Sequence, residues 1–241
     1  MDAVILAGGR GQRVAGITKL FHKPLLEIEG EPLLLRAVRQ ARSLGVEVPV
    51  VVTSPAIATL VAQVLGDVPA NLIIQREPLG PGDALRVGLQ VRNRSVGSYR
   101  VLVLLSDNYT SDADLTAVCS YEVAVGVHTT PRAEAQRFTW YDPDRDTWIE
   151  KQTIPDGSPV ECWVGPFVGW RSKMERVMSR VCETRKLNGG EALIGPYLGE
   201  MTNETRTVRV EVDSIDVGTV ESYQAVKERV GDSSIAVGRS H

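Results

Sequence analysis

The chain has little cysteine, little histidine, few aromatic residues and no long apolar run. Its three cysteines, Cys119, Cys162 and Cys182, are far apart among 241 residues, with no C-x-x-C pair. That spacing argues against a disulfide framework or a structural zinc site and leaves reduced thiols as the expectation. His22 and His128 show no metal-ligand spacing and read as structural. Aromatic residues make up 5% of the chain, so no interleaved aromatic platform for bases is expected, and the four tryptophans read as core or interface residues. No apolar run reaches the roughly 20 residues a membrane span requires. The N-terminus runs straight into an apolar strand without a basic region or a small-residue cleavage site, so the expectation is a cytoplasmic protein with no membrane partner. Positive charge is not in excess either. Lys and Arg number 27 against 30 Asp and Glu, a net charge of −3. Nucleic acid is therefore not an expected partner, and an anionic ligand has to be held by local basic residues. What remains, 43% hydrophobic and 24% charged residues, suits one soluble globular domain.

The most informative stretch is Val4-Ile5-Leu6-Ala7-Gly8-Gly9-Arg10-Gly11-Gln12-Arg13, followed by Lys19 and by His22-Lys23-Pro24-Leu25-Leu26. An apolar strand ends in three glycines within four positions, with basic residues close behind. Glycines let backbone N–H groups approach a ligand at angles a β-carbon forbids, and successive inward amides form an anion-binding concavity. With Arg13 and Lys23 added, the stretch reads as a polyphosphate seat. It is not a dinucleotide loop, because Val14 stands where the third glycine belongs. It is not a P-loop, because Gly16 is followed by Ile17-Thr18.

The first half alternates strand and helix. Strands are expected at Ala3–Leu6, Val48–Thr53, Asn71–Gln75 and Arg100–Leu105. Helices are expected at Pro32–Leu44, from Ser54 through Leu65 with Ser54 as N-cap and Pro55 at the first position, and at Pro81–Val91. This alternation predicts a parallel sheet covered on both faces. After Asp107 the pattern changes. Tyr121–His128, Arg137–Tyr141 and Thr147–Lys151 read as antiparallel strands, and Val160–Trp170 and Arg206–Val212 as further strands. Ser172–Thr184, Glu191–Met201 and Val220–Val230 read as helices. One domain is expected over 1–230, with a nucleotide half to about residue 110 and an acceptor half from about 111 to 230, then a flexible tail over 231–241.

In open parallel sheets ligands bind beyond the carboxyl ends of the strands. Four motifs sit at such ends. The glycine loop is the first. The second is Gln75-Arg76-Glu77-Pro78-Leu79-Gly80-Pro81-Gly82-Asp83, where the Gln75 amide, both donor and acceptor, suits the edge of a base. Gly80 leaves room there for a flat ring. The third is Ser106-Asp107-Asn108, a carboxylate directly after an apolar strand, which needs a partner such as a hard cation. The fourth is Ile215-Asp216-Val217-Gly218-Thr219. Asp107 and Asp216 also have simpler readings as helix-capping or helix-dipole residues.

Together these motifs resemble the sugar-1-phosphate nucleotidylyltransferases, the NDP-sugar pyrophosphorylase family that includes enzymes like glucose-1-phosphate thymidylyltransferase. The glycine stretch is similar to L-A-G-G-x-G-x-R followed by K-P-L-L, and the Gln75 segment to Q-x-x-P-x-G-T-A-G-A. Asp107 falls in a version of G-D-N, and Asp216 in D-V-G-T-P-E-S-Y. The resemblance implies a Rossmann-like, mostly parallel α/β sheet flanked by helices, of the glycosyltransferase-A type, with a small antiparallel acceptor-side sheet. It implies transfer of a nucleoside monophosphate from an NTP to a sugar 1-phosphate, releasing pyrophosphate. It assigns nucleotide binding to Leu6, Ala7, Gly8, Gly9, Gly11, Gln75, Pro78, Gly80 and Asp107. It implies Mg²⁺ held by Asp107 and Asp216, with Arg13, Lys23 and Lys151 as catalytic cations. Glu150, Lys151 and Gly165 would face the sugar phosphate. Gln12, Gly16, and Pro81 with Asp83 depart from the family pattern around the base and phosphates, so the base stays open, with dTTP or UTP slightly favoured; Gln152 and Pro166 depart on the acceptor side. A homo-oligomer is left open. A cytidylyltransferase acting on an alcohol phosphate such as phosphocholine, and a catalytically silent nucleotide-sugar-binding relative, are the competing readings.

Overall fold

A computed structural model of the chain describes residues 1–8, 22–77, 79–91, 99–136, 138–150, 157–188, 190–204 and 207–231. The first half contains β1 (Asp2–Ala7), a 3₁₀ turn (Lys23–Leu25), β2 (Glu27–Ile28), β3 (Glu31–Pro32) and α1 (Leu33–Ser43). It continues with β4 (Val50–Thr53), α2 (Ala58–Leu65), β5 (Asn71–Ile74), α3 (Pro81–Leu89) and β6 (Arg100–Leu105). Then come β7 (Asn108–Tyr109), α4 (Asp112–Cys119), β8 (Ala124–Thr130), α5 (Arg132–Ala135), β9 (Thr139–Asp142) and β10 (Thr147–Glu150). The last elements are β11 (Val160–Trp170), α6 (Arg171–Asn188), α7 (Gly195–Glu204), β12 (Val208–Glu211), β13 (Ile215–Asp216) and α8 (Val220–Arg229).

The first part of the chain forms a parallel sheet in the order β6-β1-β4-β5. β1 shows why. Ala3 and Ile5 feed one buried cluster and Val4 and Leu6 another, so the strand is covered on both faces and has no solvated side to encode. On one face, α1 presents Leu34, Val38 and Ala41 at helical spacing to the sheet. On the other, α3 lies against β1 and β4, bringing Leu85 and Leu89 into the opposite cluster.

Strands β8 to β12 extend the same sheet. β11 runs antiparallel to β6 through Phe167–Trp170, and its first residues pair with β9 and β8. One mixed nine-stranded sheet results, and two-stranded ladders, β2–β3 and β7–β13, stand apart from it. The register of β11 against β8 shifts between Trp163 and Phe167. Pro166 sits in that irregularity, where its missing N–H costs no ladder hydrogen bond.

Several expected boundaries move. Helix α2 begins at Ala58, not Ser54. Ser54 makes no side-chain cap; its carbonyl closes a turn with Ile57 N at 3.3 Å, and Ile57 is the residue that precedes the helix. The last expected helices also shift, to Arg171–Asn188 and Gly195–Glu204. Residues 232–241, most of the expected tail, lie outside the described residues. All three cysteines are free, and burial pushes the Cys119 and Cys162 thiols up to about 11. No helix among the described residues is long and apolar enough to cross a membrane.

One packing contact makes a stability prediction. A β-carbon at Gly169 would lie 2.2 Å from the Tyr197 hydroxyl, which is fully buried and has no hydrogen-bond partner among the described residues. Gly169→Ala should destabilise the fold by about 1–3 kcal/mol, the usual cost of overpacking. Tyr197→Phe should be neutral or stabilising, because it removes an unsatisfied polar atom. In the double variant the losses should not add, since the phenyl ring leaves space for the new methyl. Thermal unfolding of the three variants checks this, and additive losses would contradict it.

Candidate active site at the carboxyl ends of β1 and β6

Asp107 and Asp216 come from distant parts of the chain and are brought together by a two-stranded ladder. β7 and β13 pair antiparallel, with Asp216 opposite Asn108, and Val217 N donates to the Asp107 carbonyl at 2.8 Å. A small core under this ladder contains Leu26, Tyr109 and Val217. Leu26 lies three residues after Lys23, Tyr109 two after Asp107, and Val217 one after Asp216. The same apolar cluster therefore fixes the backbone beneath all three charged side chains.

Those side chains converge. Lys23 Nζ lies 3.3 Å from Asp107 Oδ2 and 3.5 Å from Asp216 Oδ1. The ammonium sits between the two carboxylates, and the aspartates are about one-third exposed, at 29% and 34%. Burial pushes the Asp107 carboxyl above its ordinary value; Lys23 draws it back down and the nearby Asp216 charge adds to the rise. Neither aspartate is a helix cap. Ser111 caps α4 by accepting from Asp114 N at 3.0 Å, and Thr219 with Ser222 forms the capping box of α8.

Lys23, Asp107 and Asp216 line a pocket of about 170 Å³, with Phe138 and Trp163 as its apolar wall. A neighbouring hollow of about 410 Å³ opens beside Trp148, Glu150 and Pro196. Glu150 stands between the two. It pairs across strands with Thr139 of the first pocket, and its Oε2 accepts from Gly195 N at 3.0 Å, where α7 begins. Gly165 does not line the first pocket. The space beside it is taken by Val212 and Ser214, and its carbonyl accepts from Trp163 Nε1 at 2.7 Å.

Gly8 and Gln75 meet at the ends of β1 and β5. A β-carbon on Gly8 would lie 3.8 Å from Gln75 Oε1. Gln75 is buried, and its Nε2 donates to the Gly80 carbonyl at 3.1 Å and to Asp83 Oδ2 at 2.9 Å. Gly80 has a packing reason of its own: φ is +101°, and a side chain would meet Ala192 backbone atoms at 2.7 Å. Leu6 and Ala7 are buried at the end of β1. Ser106, where the resembling motif has glycine, bonds through Oγ to the Leu6 carbonyl at 2.8 Å and ties β6 to β1 beside Asp107. Gly9, Gly11, Arg13, Pro78 and Lys151 lie outside the described residues. Sequence reasoning gave no role to Asn108 or Thr139 and registered Asp83 only as a departure from the family pattern; that Asp83 is buried against Gln75 shows only in the fold.

A donor set of two carboxylates suits a hard cation such as Mg²⁺, which takes one or two protein carboxylates and completes its shell with water and substrate phosphate. Among the described residues no cluster of three or more His, Cys, Asp or Glu offers a closed all-protein site. The ammonium already seated between the two aspartates marks the position as one that favours positive charge.

Comparison with known proteins supplies the family and the fold. An N-acetylmuramate alpha-1-phosphate uridylyltransferase of Neisseria meningitidis is 28% identical over 161 residues, 66% of this chain and 67% of that protein. The bifunctional protein GlmU of Methanococcus vannielii is 29% identical over 134 residues, which is 56% of this chain but only 31% of that longer protein. Among solved structures, a Bacillus anthracis protein assigned as a glucose-1-phosphate thymidylyltransferase superposes with a TM-score of 0.77 over 96% of each chain at 22% identity. A UDP-glucose pyrophosphorylase complexed with UDP-glucose gives 0.72 over 95% of this chain and 98% of that one, at 19% identity. At such identities the superpositions speak to the fold. Residues 3–160, well over half of the chain, match the sequence profile of the MobA-like NTP transferase domain, and the chain belongs to that family.

Proposed function

We propose that the protein transfers a nucleoside monophosphate from an NTP to a sugar 1-phosphate, releasing pyrophosphate. The observation that carries this reading is the convergence of Asp107, Asp216 and Lys23 on one pocket beside the Gly8 strand end. The sugar-phosphate nucleotidyltransferases among its relatives support the same class.

Two anions have to meet in this reaction, so catalysis is chiefly positioning and charge neutralisation. The sugar phosphate is already ionised, so no general base is required. Asp107 and Asp216 would hold a divalent metal such as Mg²⁺, which would supply neutralisation of phosphate charge. Lys23 is placed to move from the carboxylates onto the phosphates. The hydrophobic wall of Phe138 and Trp163 keeps water from one side of the pocket. Arg13 and the loop amides are assigned to the β- and γ-phosphates, and Lys151 to the attacking phosphate. Glu150, at the boundary of the second hollow, is placed to orient a sugar.

The test is a panel of NTPs against sugar 1-phosphates, read as pyrophosphate release with Mg²⁺ and with EDTA. The expected result is metal-dependent release requiring both substrates. Release with phosphocholine and CTP alone would replace the sugar phosphate as acceptor. Nucleotide binding with no release under any pairing would leave only a binding protein.

A further inference from the structure

We infer that Asp83 sets the nucleobase preference by fixing which end of the Gln75 amide faces the ligand. The inference rests on the nucleotide-binding reading above and adds a residue and a base class to it.

Gln75 Nε2 lies within hydrogen-bond distance of two groups that can only accept, the Asp83 carboxylate and the Gly80 carbonyl. An amide oxygen in that position would face two acceptors. The NH₂ group must occupy it, whatever the labelling of the two atoms. Asp83 is itself anchored. It is 4% exposed; its other oxygen accepts from Arg86 Nε at 3.1 Å and Nη2 at 2.8 Å, and the Cys182 thiol points at it from 3.7 Å. Rotating the Gln75 amide would break two hydrogen bonds in a buried place. Both amide hydrogens are consumed by the chain, and only Oε1 is left toward Gly8.

A free glutamine serves any base, because it donates and accepts. A locked one only accepts. On the Watson–Crick edge, uracil and thymine carry N3–H and guanine carries N1–H. Cytosine N3 and adenine N1 are acceptors and would leave Oε1 facing another lone pair; their exocyclic amino groups could donate to it only if the base shifted in its plane away from the position that serves a ring N–H. The site is therefore built for keto bases with a ring N–H, and a mismatch there leaves a buried acceptor unpaired.

The experiment measures binding of UTP, dTTP, GTP, CTP and ATP by calorimetry, with pyrophosphate release alongside. It uses the full chain, Asp83→Ala, and Asp83→Asn, which keeps the shape and guards against misfolding of the alanine variant. Cys182→Ala, which touches Asp83 but leaves Gln75 held, is the control. The wild type should favour UTP over CTP, or GTP over ATP, by about tenfold or more. Both Asp83 variants should lose most of that ratio by weakening the favoured nucleotide and improving the disfavoured one, and the control should keep it. A wild-type preference for CTP or ATP, or an unchanged ratio in a folded Asp83 variant, overturns the inference. Binding ratios that behave as expected without any pyrophosphate release support Asp83's role while refuting the transfer reaction.

Discussion

Asp107→Asn should turn over at about one hundredth to one thousandth of the wild-type rate, the scale set by removing one group that stabilises transition-state charge. The substitution is nearly isosteric, at the end of β6, where Ser106 and the Val217 N–H hold the backbone independently of the side chain. The fold should survive. Neutralising one of two neighbouring carboxylates removes a repulsion and one ion pair to Lys23 at a partly exposed site, so the melting temperature should move by only a few degrees. The kinetic signature separates roles. A metal carboxylate that acts in the transition state lowers kcat and kcat/KM together. A residue that merely shapes the pocket would raise KM at constant kcat. Raising the metal concentration should recover part of the activity, because the remaining Asp216 keeps a weakened site. Wild-type turnover in a folded Asp107→Asn protein would remove Asp107 from the chemistry.

The parts of this site that were legible in the sequence share a property: each is encoded locally. The apolar runs of β1 and β6 and the acid just past β6 are visible because buried parallel strands are continuous hydrophobic runs and a charge at their end is anomalous. The helical spacing of Leu34, Val38 and Ala41 is equally local. The β7–β13 ladder could not be read the same way. Two-residue strands have no period, and their pairing is decided by the core of Leu26, Tyr109 and Val217, assembled from three distant segments. The start of α2 was misplaced for the opposite reason: Ser54-Pro55 carries a strong local start signal, but Ser54 is needed at the end of β4 beside Gly8, and the helix begins after a turn. The pairing of β8 and β9 with β6 through one strand is likewise non-local, since the interior strand β11 pairs with all three at once. Gln75 was recognisable as a base contact by type, but its orientation depends on Asp83 eight residues on, and only the fold shows that its hydrogens are spent.

Lys23→Met should change two measurements in opposite directions. Turnover should fall by about two orders of magnitude, because a cation aimed at the reacting phosphates is lost. Binding of Mn²⁺ to the protein without nucleotide should tighten, by about tenfold or more. The ammonium lies 3.3 and 3.5 Å from the carboxylates that would hold the metal, so metal entry in the free enzyme has to displace it. The size of the gain is limited by the solvent that reaches both aspartates, which screens the lysine's attraction well below its value in a dry interior. The variant should also melt lower than wild type in EDTA, since Asp107 and Asp216 then face each other without a counter-ion, and Mn²⁺ should restore the difference. In the wild type the same competition should keep metal binding weak until a nucleotide arrives. Its phosphates offer Lys23 a new partner and supply the remaining ligands, so metal and nucleotide should bind with positive cooperativity. Electron paramagnetic resonance titration of Mn²⁺ with and without UTP measures all of this directly. Equal Mn²⁺ affinity in Lys23→Met and wild type, with no dependence on nucleotide, would mean that the lysine does not stand in for the metal, and its role would be confined to the phosphates.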